Sequence, residues 1–297
     1  MFGHKKPSTE VDIRREIDDA TKADPAQLEK DAGPLGRAFI NAVDKAVHLQ
    51  TSSIRAYVDW LRRQNPDASP AEIQKTMDKH LKNTVTGTGA GVGATAAVPG
   101  IGLVTGAAAV AGESVLFLDL AAFYAVASAY LRGVDVDDPE RRRAIVLTLL
   151  MGSKGIAIVD AILGDDATTI PGKSTLAKFS GPTLTQTNNV LERMAMRSLN
   201  NQMRRAWLGK LMPLGIGAIA GTTANRKLAD GVIENEHDAL GAVPAGFATP
   251  LPDKEEQDID DDAKGLSLNP KEFAAWILHL FKDDKADKDD NKDGQRD

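Results

Sequence analysis

The chain has 297 residues, 42% hydrophobic but only 5% aromatic, with 26% charged residues, a net charge of −6 and no cysteine. Disulfides and thiolate metal sites are excluded, and a core must be built mainly from Ala, Val, Leu and Ile. The acidity is local: Asp253 to Asp297 holds 15 acidic and 8 basic residues, a balance of −7, which leaves the remainder at +1.

Residues 1–33 read as a polar, weakly structured segment ending at the breaker Gly33-Pro34. Their start has two lysines but no apolar stretch after them, so it does not read as a signal peptide, and a cytoplasmic protein is expected. From Gly36 to Gln64, Ile40, Val43, Val47, Ile54, Tyr57 and Leu61 recur at helical spacing. After a break at Asn65-Pro66-Asp67, Ser69-Pro70-Ala71-Glu72 spells a capping box with proline in the first helical position. Ile73, Met77 and Leu81 form that helix's stripe, and Lys79, His80 and Lys82 are expected at its negative C-terminal end.

From Asn83 to Gly112 no side chain is charged, and 16 of the 30 residues are Gly or Ala. A second such run spans Leu211 to Asn225. Small residues let helix backbones approach closely, so Gly102, Gly106, Gly215, Gly217, Gly221 and Asn225 are candidate packing positions between two runs packed together. Asn83–Gly112 and Ser114–Leu131 approach the length of a membrane span, but Pro99-Gly100 interrupts the first and Asp119 lies within the second. A buried hairpin and partial membrane insertion both remain open.

Asp138-Pro139 opens a further helix through Met151, and Gly152–Pro182 is looser. A long helix runs from Thr183 to Leu211, with Leu191, Met194, Leu199, Met203 and Trp207 toward the core. Residues 34–237 thus form one helical domain. Residues 238–265 read as an acidic, Pro- and Gly-rich linker, and 283–297 as a disordered acidic tail. Between them, 266–282 carries Phe273, Trp276, Ile277, Leu280 and Phe281 on one face of an amphipathic helix, suited to docking on a protein partner or on its own domain. With alternating strand patterns scarce, the expected fold is all-α: a multi-helix domain plus a tethered C-terminal helix.

No motif assembles a reaction centre. Gly89–Ala94 fits a relaxed dinucleotide fingerprint, but a capped helix precedes it instead of a strand. Ala167–Ser174 fits a relaxed phosphate loop, with Gly172, Lys173 and Ser174 as candidate nucleotide contacts and Ile156–Leu163 as the strand before it. Asp289, Asn291, Asp293 and Gly294 resemble the opening of a calcium loop that lacks its twelfth-position glutamate. The five histidines show no metal spacing, so no metal or cofactor is expected. Arg141, Arg142 and Arg143 on one helix, and Arg193, Arg197 and Arg204 on another, form basic faces that suit an anionic surface. Interleaved aromatics for nucleic acid are missing.

Three features in order, MDKHLKNTVTGTGAGVGA, the run through Phe117-Leu118-Asp119-Leu120 to Ala129-Tyr130, and LMPLGIGAIAGTTAN, resemble the EcsC family of bacterial proteins over roughly Leu35 to His237. Pro213, Gly215, Gly217, Gly221 and Asn225 carry the most specific part. Where the family often has a Tyr-Gly-aromatic-Asp element, this chain has Tyr130-Leu131-Arg132-Gly133-Val134-Asp135. The resemblance implies a glycine-rich helical domain and brings no catalytic residues. The expected function is a non-enzymatic accessory factor associated with a membrane surface or a membrane-protein complex. The alternatives are a nucleotide-binding enzyme using Lys173 and Ser174, and a soluble interaction module.

Overall fold

The structure is a computed structural model that describes residues 10–48, 51–96, 102–163, 184–209, 217–251 and 266–280. Among these residues there are ten helices and no strand, so the chain is all-α. In chain order they are α1 (Glu10–Thr21), α2 (Pro25–His48), α3 (Thr51–Gln64), α4 (Pro70–Ala96), α5 (Gly102–Leu131), α6 (Pro139–Met151), α7 (Ser153–Leu163), α8 (Leu184–Gly209), α9 (Gly217–Leu240) and α10 (residues 270–280).

The layout follows from which helices are apolar all round. In α5 every residue from Asp119 to Ala129 is buried, because its small and apolar side chains leave no face for water. Around it, α4 packs on both α5 and α9, while α2, α6 and α8 form a second group joined to α5 through α2 and α6. One hydrophobic core runs through both groups, with Ile54, Leu61, Ile73, Met77, Phe123, Ile145, Leu147 and Leu191 among its fully buried members. Each such side chain contributes about 1.5–3 kcal/mol of transfer free energy.

Several boundaries differ from the sequence expectation. Residues 10–21 and 25–32 are helical: Ile13 and Ala20 of α1 are buried, and α2 begins at Pro25, so this segment belongs to the body. Gly33 does interrupt the helix, with φ 64° and ψ −151°, but as a kink within α2. The Ser69–Glu72 capping box forms as expected, the Glu72 carboxylate accepting from the Ser69 N–H at 2.8 Å. However, α4 continues past Lys82 to Ala96, which places Lys79, His80 and Lys82 in its interior and makes Gly89–Ala94 helix, not a phosphate-binding turn. Residues 153–163 are helix α7, so the strand that a phosphate loop needs before Lys173 is absent there.

The turn between α6 and α7 is tight. Asp138 caps α6 by accepting from the Glu140 N–H at 3.0 Å, and Gly152 ends it at φ 62°. The positive φ favours glycine, and a Cβ at Gly152 would lie 2.7 Å from Asn235 Oδ1, so the Asn235 side chain would also have to shift.

Antiparallel register fixes the two ends of the central layer. Asp78 of α4 lies 3.6 Å from His237 of α9, and Lys82 pairs with Asp230 at 2.5 Å. On the other side Asp78 accepts from the Tyr124 hydroxyl of α5 at 2.7 Å. The C-terminal end of α4 and the N-terminal ends of α5 and α9 therefore meet at one pole of the bundle.

Candidate functional site: an aromatic groove and its helix

An aromatic groove lies between α3, α4 and α5, where α10 docks. Its approach is set locally: Asn269 Oδ1 accepts from the Lys271 N–H at 3.0 Å, and Pro270 occupies the first helical turn. From there the i, i+3, i+4 spacing drives Phe273, Trp276 and Ile277 inward, and all three are buried. The Phe273 ring stacks on Tyr57 with centroids 5.3 Å apart and lies 3.9 Å from the His80 ring. Trp276 meets Phe123 edge-on at 5.5 Å. Edge-to-face and offset ring pairs add about 0.5–1.5 kcal/mol beyond the area they bury. The residual void among Tyr57, Met77, Leu81, Leu120, Phe123, Tyr124 and Phe273 is about 10 Å³, so the groove is filled.

The apolar face expected for Phe273, Trp276, Ile277, Leu280 and Phe281 is thus seated on the chain's own body. Leu280 is half-buried, and Phe281 lies outside the described residues. Gly87, within the first small-residue run, has a role here: a Cβ at this position would come within 3.2 Å of Pro270 Cβ. His80, expected as an exposed charge at a helix end, is 3% exposed, and burial lowers its pKa to about 4. Its Nδ1 shares a hydrogen bond of 3.1 Å with the Tyr57 hydroxyl.

Beside the groove lies a buried polar node that ties α4, α5 and α9. Gln74 donates to the hydroxyls of Tyr124 and Ser128 and to Asp78, at 3.0, 3.2 and 2.8 Å. Arg132 donates to Gln74 Oε1 at 2.8 Å and to the Gly241 carbonyl at 3.2 Å, and it pairs with Glu236 at 2.5 Å. The Arg132 and Glu236 side chains are 1% and 0% exposed. Burial raises the Glu236 pKa to about 7 against the pull of Arg132, and burial likewise lowers that of Arg132. The pair links the residue that follows α5 to α9 in the interior of the bundle.

A third feature is an open cleft of about 210 Å³ lined by Arg55, Tyr130, Asp135, Phe247 and Thr249, among others. Its cations are committed: Arg55 pairs with Asp137 at 2.9 Å, and Arg62 with Asp59 at 3.0 Å. Arg62 also donates to the Thr249 carbonyl at 3.0 Å and lies 4.1 Å from the Phe247 ring centroid. Residues 241–251, expected as linker, therefore pack on the body at Phe247 and Thr249.

The arginine faces are dispersed by the fold. Arg142, expected at an anionic surface, is instead buried, and donates to the carbonyls of Val47, Val136 (2.5 Å) and Asp137 (3.1 Å). Arg141 pairs with Asp135 at 2.7 Å, and Arg143 with Glu192 at 2.5 Å and Asp44 at 3.6 Å. Arg193 donates to the Thr21 carbonyl at 2.5 Å, and Arg197 is half-buried on α8. Arg204 lies on α8 with its side chain outside the described residues. Gly102 and Gly106 fall in the first turns of α5, and Gly217, Gly221 and Asn225 in those of α9. Gly215, Gly172, Lys173 and Ser174, the acidic run 252–265 and the tail 283–297 lie outside the described residues.

Among the described residues, no group of three or more His, Asp or Glu side chains is arranged to hold a metal ion. No helix there is long and apolar enough to cross a membrane. Compared with known family models, curated proteins and solved structures, the chain matches none.

Proposed function

We propose that this chain is a non-enzymatic helical accessory protein that associates with a membrane, or with a membrane-protein partner, through the uncharged pole of its bundle. The observation that carries this reading is the convergence there of three helix ends without a charged residue: 88–96 of α4, 102–112 of α5 and 217–225 of α9. At about 1.5 Å per residue, 102–112 extends roughly 16 Å, about half of a hydrocarbon core of about 30 Å. That length suits shallow insertion, with the body held at the surface. The EcsC-like order of features runs through the same three helices, which supports placing the chain with that family. The basic faces contribute little in this reading, because Arg141, Arg142 and Arg143 are held by Asp135, backbone carbonyls and Glu192.

Vesicle flotation tests it. The purified chain is expected to float with zwitterionic vesicles and to remain bound as salt is raised from about 0.1 to 1 M, where the Debye length falls to about 3 Å. Recovery wholly in the unbound fraction, or binding that requires anionic lipid and disappears in high salt, defeats the proposal. A second reading, a protein-interaction module, draws on the α10 groove. Removing residues 266–297 then uncovers Tyr57, His80 and Phe123 and gains a binding partner, whereas an unchanged set of partners counts against it.

A further inference from the structure

His80 is the point at which three segments meet. α3 supplies Tyr57, whose hydroxyl lies 3.1 Å from Nδ1, and α10 supplies Phe273, its ring centroid 3.9 Å away. The approach to α10 supplies the Ser267 backbone, which favours the imidazole's proton while burial disfavours it. The other charged groups are turned elsewhere or committed. Asp78, on the same helix, accepts from Tyr124 and Gln74 and acts electrostatically on Tyr57. On α3 Asp59 is paired with Arg62, Lys82 of α4 is paired with Asp230, and Lys79, Lys271, Glu272 and His279 are exposed. Among the described residues, the nearby carboxylates Asp59 and Asp78 are engaged by Arg62, Tyr124 and Gln74, and none forms an ion pair with the His80 ring. A positive charge there is held out of water on a ring that is 3% exposed, and this loss of hydration outweighs what the Ser267 backbone returns.

An eleven-residue helix is too short to persist in water by itself, so α10 is helical by virtue of this seat. We propose that α10 is held by the neutral form of His80, and that protonating His80 releases α10 and uncovers the aromatic groove. The sign follows from linkage. The docked imidazole titrates near 4 and a released one near its ordinary 6.5, so docking is fully stabilised above about 6.5 and is lost as pH falls through about 4. Between pH 7.5 and pH 5 the docking equilibrium weakens on the order of thirtyfold. This device is independent of the membrane reading.

The test uses the full chain carrying Trp60→Phe and Trp207→Phe, so that emission reports Trp276 alone, together with hydrogen exchange across residues 270–280. Acidification from pH 7.5 to 4 is expected to red-shift the emission and accelerate exchange in α10, and His80→Gln is expected to remove both responses. Glu236→Gln, which alters the other group titrating nearby, is expected to retain them. The same pH response in His80→Gln, or no change in α10 exchange in the parent chain, overturns the proposal. Should His80→Gln fail to fold, the His80 ring proton in the unmodified chain decides by NMR: titration well below 6.5 supports the device, and titration at 6.5 contradicts it.

Discussion

Near Gln74 and Glu236, the central helices α4, α5 and α9 are joined by named polar contacts, and the aromatic groove next to them is filled to within about 10 Å³. At their other ends the same three helices are rich in Gly, Ala, Val and Thr and carry no charge over 83–96, 102–112 and 217–225. The first end is specified by side chains that have one good arrangement each. The second is defined by what it lacks, and so suits an apolar surrounding better than a particular ligand. The proposed division of labour follows this contrast, with specificity in the body and adhesion at the pole.

Substitutions that sharpen this contrast should fall in a definite order. Trp276→Ala empties the centre of the groove and should cost about 3–5 kcal/mol in urea denaturation. A loss under about 1 kcal/mol would mean that the groove is less specific than its ring geometry implies. Arg142→Met leaves the Val47 and Val136 carbonyls without their donor and should cost about 2–4 kcal/mol, with vesicle binding unchanged. Weaker flotation at equal stability would instead restore this arginine to the surface role expected from sequence.

A pH series separates the node from the groove. The Glu236 pKa is raised to about 7 in the fold, so its contribution to stability is fully present below about 4.5 and is lost as pH rises through about 7. Glu236→Gln should flatten that fall in melting temperature between pH 5 and 8, and an unaltered slope would place the titration elsewhere. Gly87→Ala should have the smallest effect, under about 1 kcal/mol, because Pro270 has to yield only a few tenths of an ångström. A larger loss, with no change in α10 exchange, would show that Gly87 serves α4 packing instead of the α10 seat.

Much of this architecture is legible in the sequence because it rests on local rules. The Ser69–Glu72 capping box, the Asp138-Pro139 start and the i, i+3, i+4 face of Phe273, Trp276 and Ile277 each follow from spacing within one turn or two. The groove was legible only by half, since periodicity shows that α10 has a partner face but cannot say that Tyr57, His80 and Phe123 supply it. His80 and Arg142 depart from the sequence expectation for a shared reason. Polar residues on an amphipathic helix are expected in water, and only tertiary packing puts one under a phenylalanine and the other against backbone carbonyls. The Arg132–Glu236 pair joins residues 104 positions apart and leaves no local trace. In residues 10–32 a polar composition hides the few positions, such as Ile13 and Ala20, that α1 buries.

The absence of cysteine allows the most direct measurement. An environment-sensitive fluorophore is attached to a single introduced cysteine, either Ala107→Cys in the early turns of α5 or Ala71→Cys in the first turn of α4, at the opposite end of the layer. On addition of zwitterionic vesicles, the probe at 107 should shift to the blue and be quenched by acyl-chain quenchers in both low and high salt, while the probe at 71 stays unchanged. Equal responses at the two positions, a response at 71 alone, or none at either would contradict adhesion through the uncharged pole.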